Sequence, residues 1–316
     1  MLDFFSNIRF PAYYSGINQG LVFAVMALGV YLTYKILDYA DLTVDGSFAT
    51  GASVCAMFIT NEMNPFLSLI VALIFGALTG LVTSILHTKL RIPSLLSGII
   101  TQIALYSINL RIMGRWTQPK SNISLLRVDT VFSIIENKFG LSDLNAQFIL
   151  LVAIIVVIVA VLCWFLQTEI GFALRATGSN QRMIRALGVN TDNTIIIALV
   201  MSNALVALGG ALFSMQQGYA DITMGSGTII TGLAAVILGD EVFRGKSIPQ
   251  MLIATVLGSI LYSLFIAFAY DLGMPTTDLS LAKALILIVA LSLPTTRKRL
   301  SKVFKKSTKT YNNAEI

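Results

Sequence analysis

A helix needs about 20 apolar residues to cross a hydrocarbon core about 30 Å thick, and this chain meets or approaches that ruler nine times. The stretches run over 17–37, 45–60, 65–86, 94–112, 146–166, 194–217, 226–243, 248–270 and 277–294. No other feature constrains the chain as much, because lipid offers an open backbone no hydrogen-bond partner and only helices or closed barrels span it. Apolar runs of this length belong to helices, so the expected fold is all-α, a polytopic membrane helix bundle of about nine spans. The longest polar connections, 113–145 and 167–193, leave no room for a soluble domain. Composition agrees: 56% of residues are hydrophobic and 12% charged, against about 25% charged in a soluble domain. The second and seventh stretches are short and rich in Gly, Ser and Thr, which suits short, broken helices packed tightly inside a bundle.

The net charge of +6, from 22 basic and 16 acidic residues, would point to an anionic partner if it were spread over a folded surface. Residues 295–316 carry all of it, with seven bases from Arg297 to Lys309 and one acid, Glu315. The remainder is neutral, so no nucleic-acid partner is expected. The tail reads instead as a cytoplasmic anchor by the positive-inside rule, beside anionic headgroups of the lipid membrane. Counting spans back from it places 244–247, 167–193 and 87–92, all basic, on the cytoplasmic side. The N-terminus and 113–145 fall outside.

The chain lacks the means for catalysis. Cys55, Cys163 and the single His87 build neither a disulfide framework nor a zinc cluster. Residues 1–16 lack the apolar core of a removable signal peptide. Gly245-Lys246-Ser247 imitates the end of a phosphate-binding loop, but Asp240 stands where that loop needs glycine. The chain is expected to be no enzyme and to bind no metal or cofactor of its own.

The sequence also matches itself at an offset of 180 residues. Ala27-Leu28-Gly29 repeats as Ala207-Leu208-Gly209, Leu32 as Leu212, Tyr39-Ala40-Asp41 as Tyr219-Ala220-Asp221, and Thr43 as Thr223. After a one-residue gap, Gly46, Thr50 and Gly51 pair with Gly227, Thr231 and Gly232. Apolar helices match by chance, but a polar Tyr-Ala-Asp-apolar-Thr run is harder to obtain that way. Five spans separate the copies, an odd number, so this is an inverted internal repeat, a transporter architecture whose broken helices line a solute path. The halves are about 17–166 and 194–294 of one transmembrane domain spanning 1–316. Candidate translocation-pathway or helix-break residues are Asp41, Thr43, Asp45, Ser47, Asp221, Thr223 and Ser226. Intramembrane acids are functional candidates by default, yet Asp41 and Asp221 could equally cap the short helices. Gln102, Asn109, Ser202, Asn203 and Lys283 are further polar residues inside spans, best suited to interhelical hydrogen bonds.

In the loop 167–193, Ser179 or Asn180 caps a short helix that Gly188 ends in the left-handed conformation. Met183, Ile184 and Leu187 form its apolar stripe, flanked by Arg182 and Arg185. So short a loop is not expected to bury that stripe, which leaves the membrane surface or another protein to cover it.

Asp41-Leu-Thr-Val-Asp-Gly-Ser47, the loop from Ala173 to Gln181 with Arg185-Ala-Leu-Gly188, and Ala220-Asp-Ile-Thr-Met-Gly225 resemble permeases of bacterial ABC importers. The nearest group is the branched-chain amino acid and ribose permease class, in particular permeases paired with tryptophan- or tyrosine-binding lipoproteins. The resemblance covers about 17–294. It implies a permease subunit in the bacterial plasma (inner) membrane, importing an amino acid or similar small solute and working as a homodimer. Separate ABC ATPase subunits would carry ATP and Mg, and an extracytoplasmic substrate-binding lipoprotein would deliver solute. It further implies that the loop 167–193 is the ATPase-coupling loop, through Arg175, Ser179, Asn180, Arg182, Met183, Arg185, Leu187 and Gly188. The competing class is a self-sufficient secondary transporter or channel, which needs no ATPase.

Overall fold

The computed structural model describes residues 10–288, apart from 127, 141, 275–277, 279, 280 and 282. Most of the ninth expected span and the whole basic tail lie outside the described residues. The other eight apolar stretches are all helices: α1 (Phe10–Tyr31, extended by a π-helical turn Leu32–Ile36), α2 (Thr43–Thr60), α3 (Pro65–Thr88), α4 (Ser94–Met113), α6 (Asp143–Leu166), α9 (Thr191–Gln217), α10 (Thr228–Phe243) and α11 (Ile248–Asp271). Residues 283–288 are helical too. Seven of these segments are long and apolar enough to cross a membrane, and α2 is not among them. Between the spans lie α5 (Val131–Phe139), α7 (Glu169–Ser179) and α8 (Gln181–Ala186).

The bundle is not purely helical. β1 (Asn122–Ser124), from the long connection between α4 and α6, pairs antiparallel with β2 (Tyr219–Asp221), which follows α9. Three-residue strands carry no hydrophobic periodicity, so the sequence does not announce them. The same connection carries α5, where Thr130 and Ser133 form a capping box and Gly140 closes the helix at φ 62°.

Burial separates centre from rim. In α1, 83% of the apolar window is covered by protein and in α9 72%, but only 28% in α6 and 33% in α3 and α4. The rim helices expose their apolar faces as lipid requires. At the centre, small residues allow backbones to approach: a methyl group on Gly51 would run into the carbonyl of Ala207, and one on Gly210 into that of Phe48. The α2 and α9 helices therefore cross almost backbone to backbone. On either side, α3 packs on α9 through Gly76 and Gly80, and α11 packs on α1 through Gly16 and Gly20.

The loop contacts fall at two ends. At one, Lys35 pairs with Asp240, Tyr39 bonds Ser97 and meets His87 edge-on, and Arg91 and Arg185 both approach Asp192. At the other, Tyr13 donates to Asp271, Tyr14 to Asn145, and Asn18 to the carbonyl of Leu144. The segments grouped at the first end are those that the positive-inside count assigned to the cytoplasm.

Candidate functional site

Helix lengths locate the site. At 1.5 Å per residue, α3 and α11, with 24 residues each, are about 36 Å long, whereas α2 (18 residues) and α10 (16 residues) reach only about 27 and 24 Å. Both short helices thus begin inside the bundle, and their N-terminal ends meet there. Asp45 in the first turn of α2 accepts from Gly227 N at 3.0 Å, Ile229 N at 2.8 Å and Thr228 Oγ1 at 3.0 Å. One carboxylate satisfies the unpaired amides of a helix on a different segment, 182 to 184 residues away. Its charge also faces the positive ends of both helix dipoles.

Beside this junction is a cleft of about 510 Å³. Its walls are the first turns of α2 (Asp45, Gly46, Ala49), one face of α4 (Gln102, Ile103, Tyr106, Ser107, Asn109) and the 3-10 turn Ile222–Gly225 with Ser226. Asn109 is 1% exposed and its Oδ1 has no hydrogen-bond partner among the described residues. A buried amide oxygen in that state costs about 1–3 kcal/mol, unless something in the cleft completes it.

Of the seven repeat-junction candidates, Asp45, Thr223 and Ser226 line the cleft. Asp41, Thr43 and Ser47 do not: they belong to a buried hydrogen-bond network joining α2, α3, α4 and α9. Asp41, 3% exposed, accepts from Thr43 N at 2.9 Å and Asn203 Nδ2 at 2.8 Å. Ser47 donates to Asn203 Oδ1 at 2.6 Å and bonds Thr79 at 2.6 Å. Thr43 bonds Thr83 at 2.8 Å, and Thr83 bonds Thr101 at 3.0 Å. Asp221 sits at the opposite end, accepting from Thr223 N at 2.8 Å, Thr223 Oγ1 at 2.5 Å and Asn122 Nδ2 at 3.3 Å. Burial opposes its ionisation, but these hydrogen bonds outweigh it and hold the carboxyl below the ordinary carboxylate range. Asp41 and Asp221 each accept from the backbone amide two positions on, but Asp221 thereby caps the 3-10 turn Ile222–Gly225 and not α10, whose first turn is held by Asp45. Ser202 and Asn203 make the interhelical bonds expected of them, Ser202 to the carbonyl of Gly29 at 2.8 Å.

The loop 167–193 folds into α7 and α8. Asn180 is the cap, accepting from Met183 N at 3.0 Å, Ser179 ends α7, and Gly188 has φ 86°. The apolar stripe is split. Ile184 is 5% exposed, while Met183 and Leu187 stand 52% and 70% exposed. Arg185 turns back to Thr191 Oγ1 at 2.5 Å and Asp192 at 2.8 Å. Arg182 is exposed, and Arg175 lies over the Phe172 ring at 4.5 Å. Ile184 is thus buried, against the sequence expectation, with both α7 and α9 packed on α8.

Residues 12–293 match the family described as branched-chain amino acid transport system / permease component. The chain belongs to this permease family. The permease is 40% identical over 278 residues to a tyrosine transport system permease protein of Clostridioides difficile (strain R20291), with 88% of this chain and 90% of the relative covered. It is 27% identical over 267 residues to the autoinducer 2 import system permease protein LsrC of Yersinia pseudotuberculosis (serotype O:3, strain YPIII), covering 82% and 68%. Among solved structures, PsaBC from Streptococcus pneumoniae in complex with Fab shares the fold, with a TM-score of 0.51 at 15% identity, covering 92% and 93%. The chain is the permease subunit of an ABC importer, a multi-pass protein of the inner membrane. ATP hydrolysis belongs to a separate subunit, and a substrate-binding protein is its other partner.

The share of α4 in the cleft was not among the repeat-junction candidates of the permease sequence. A signal was present, since Gln102, Tyr106 and Asn109 follow the i, i+4, i+7 spacing of one helix face. It reads equally as a face for interhelical hydrogen bonds, and only the gap beside α4 distinguishes the two.

Proposed function

We propose that the cleft between α2, α4 and the 222–226 turn is half of the solute path, completed by a second copy of the chain, and that its solute is an aromatic amino acid. The observation carrying this reading is the cleft's position, at the place where the two short helices begin inside the bundle. Its mixed wall, with Tyr106, Ile103 and Ile222 beside Gln102, Ser107 and Asn109, suits a solute with one ring and a few polar atoms. The 40% identity to a tyrosine transport permease supports that class. Asp45 does not grip the solute in this reading, since both its oxygens are taken by α10. An inverted repeat is supported by reciprocal packing: Gly29 lies on Val206 and Gly209 on Met26, two pairs related by the same 180-residue offset. Nine spans follow when α2 and the segment around 283–288 are added to the seven.

The loop 167–193 acts as the coupling element in this scheme. An ATPase subunit, loaded with ATP and Mg, seats on Met183, Leu187 and Arg182, while Asn180 and Gly188 shape α8 and Arg185 anchors it to α9. In proteoliposomes holding the permease, its ATPase and its binding protein, Met183→Glu with Leu187→Glu is expected to lower tyrosine uptake at least tenfold and abolish co-purification of the ATPase. Uptake and co-purification at wild-type levels would refute the seat. Asn109→Leu is expected to raise the concentration for half-maximal uptake several-fold while leaving ATPase docking intact. An unchanged concentration dependence would remove Asn109 from the path.

A further inference from the structure

A second, smaller cavity of about 110 Å³ lies between α1, α10, α11 and the 283–288 helix. Its polar wall is donor-rich: the Lys283 ammonium, the Tyr262 hydroxyl, the Gln19 amide, and the hydroxyls of Thr231 and Ser263. Among the described residues, no Asp or Glu lines it. Tyr262 is 1% exposed, and its hydroxyl lies near that of Thr231 without reaching full hydrogen-bond geometry with it. A lysine in a membrane span costs several kcal/mol unless it snorkels to the interface, pairs with an acid or faces a polar cavity. Here it lines the cavity, and Asp45, which holds the Gly227–Thr228 part of the same wall, is already spent, with both its oxygens bonded to the first turn of α10.

We propose that this cavity binds a small monovalent anion, a carboxylate or a halide, held by Lys283 with Tyr262 O–H and the Gln19 amide as donors. Its volume admits a carboxylate group but not a whole aromatic amino acid. Ser226 lines both this cavity and the larger cleft, so a solute crossing the cleft has a neighbouring place for its carboxylate end. The site itself stands independently of the transport reading. Only the assignment of the anion to the solute rests on that reading.

The test uses the full chain in detergent, dialysed into sodium gluconate, with its melting temperature read as acetate, chloride, L-tyrosine or tyramine is added. A bound ligand at ten times its dissociation constant raises the melting temperature by about 2 °C. Acetate or chloride is expected to do so in the wild-type chain and in Lys283→Arg, and to lose the effect in Lys283→Met and Tyr262→Phe. Stabilisation by L-tyrosine but not by tyramine assigns the anion to the solute. Stabilisation by chloride alone keeps the anion site and removes the solute from it, leaving the transport reading untouched. No anion effect in the wild-type chain, or an equal effect in Lys283→Met, overturns the proposal.

Discussion

Asp41 and Asp221, at corresponding junctions, each hold the amide two positions on, whereas Asp45 reaches a distant helix, because each carboxylate is defined by the amides it meets. Asp45 holds the start of α10 from the first turn of α2. Asp45→Ala removes three acceptor contacts, and at about 1 kcal/mol or more for a lost cap it is expected to lower the melting temperature by several degrees. Uptake should fall with it, because α2 and α10 then lose their common anchor. Asp45→Asn, which keeps one acceptor oxygen, is expected to fall between, and a melting temperature equal to wild type in both variants would show that the cap carries no stability. Asp41→Ala leaves the Asn203 amide buried beside an empty acceptor position, which costs about 1–3 kcal/mol.

Asp221 adds a pH dependence with a definite sign. Its carboxyl ionises more readily in the fold than in the unfolded chain, so its contribution is fully present above the ordinary carboxylate value of about 3.9. The contribution is lost as pH falls through the depressed folded value. The stability gap between wild type and Asp221→Asn should therefore be constant from pH 7 to 5 and shrink below pH 4. A gap that widened on acidification would reverse the assignment.

Among the elements, the two short helices matter most. Their shortness is visible in the sequence as Gly-, Ser- and Thr-rich stretches, but why they are short is not. α2 is flanked by α9 at backbone contact, and Gly51 has the Ala207 carbonyl where a side chain would stand. Gly51→Leu is thus expected to prevent recovery of monodisperse protein, whereas Gly140→Ala, in a loop where nothing lies within 4 Å and with only a left-handed φ of 62° to strain, should cost about 1 kcal/mol. Size-exclusion profiles of the two variants check this contrast. The β1–β2 pair ties the long α4–α6 connection to the turn whose Thr223 and Ser226 line the cleft. A binding protein seated on that connection would have a short mechanical path to the cleft wall.

At the scale of the molecule, span positions, polar connections and the cap-forming loop signals were legible because they depend on local properties: apolar length, glycine at φ above zero, Asn or Asp before a helix. Eight of the apolar stretches are helices, and apart from the start of α1 their ends stand within three residues of the expected ones. The Asn180 cap and Gly188 stop stand where the residues put them. What the sequence determined alone was that this chain crosses a membrane as a helical bundle with matching polar junctions. Which junction residues face open space was left to the tertiary structure, as was the division of Met183, Ile184 and Leu187 into exposed and buried. The reason is physical: exposure of a side chain depends on neighbours far along the chain, such as the 182 residues between Asp45 and Gly227, and no periodicity within one helix encodes a partner on another.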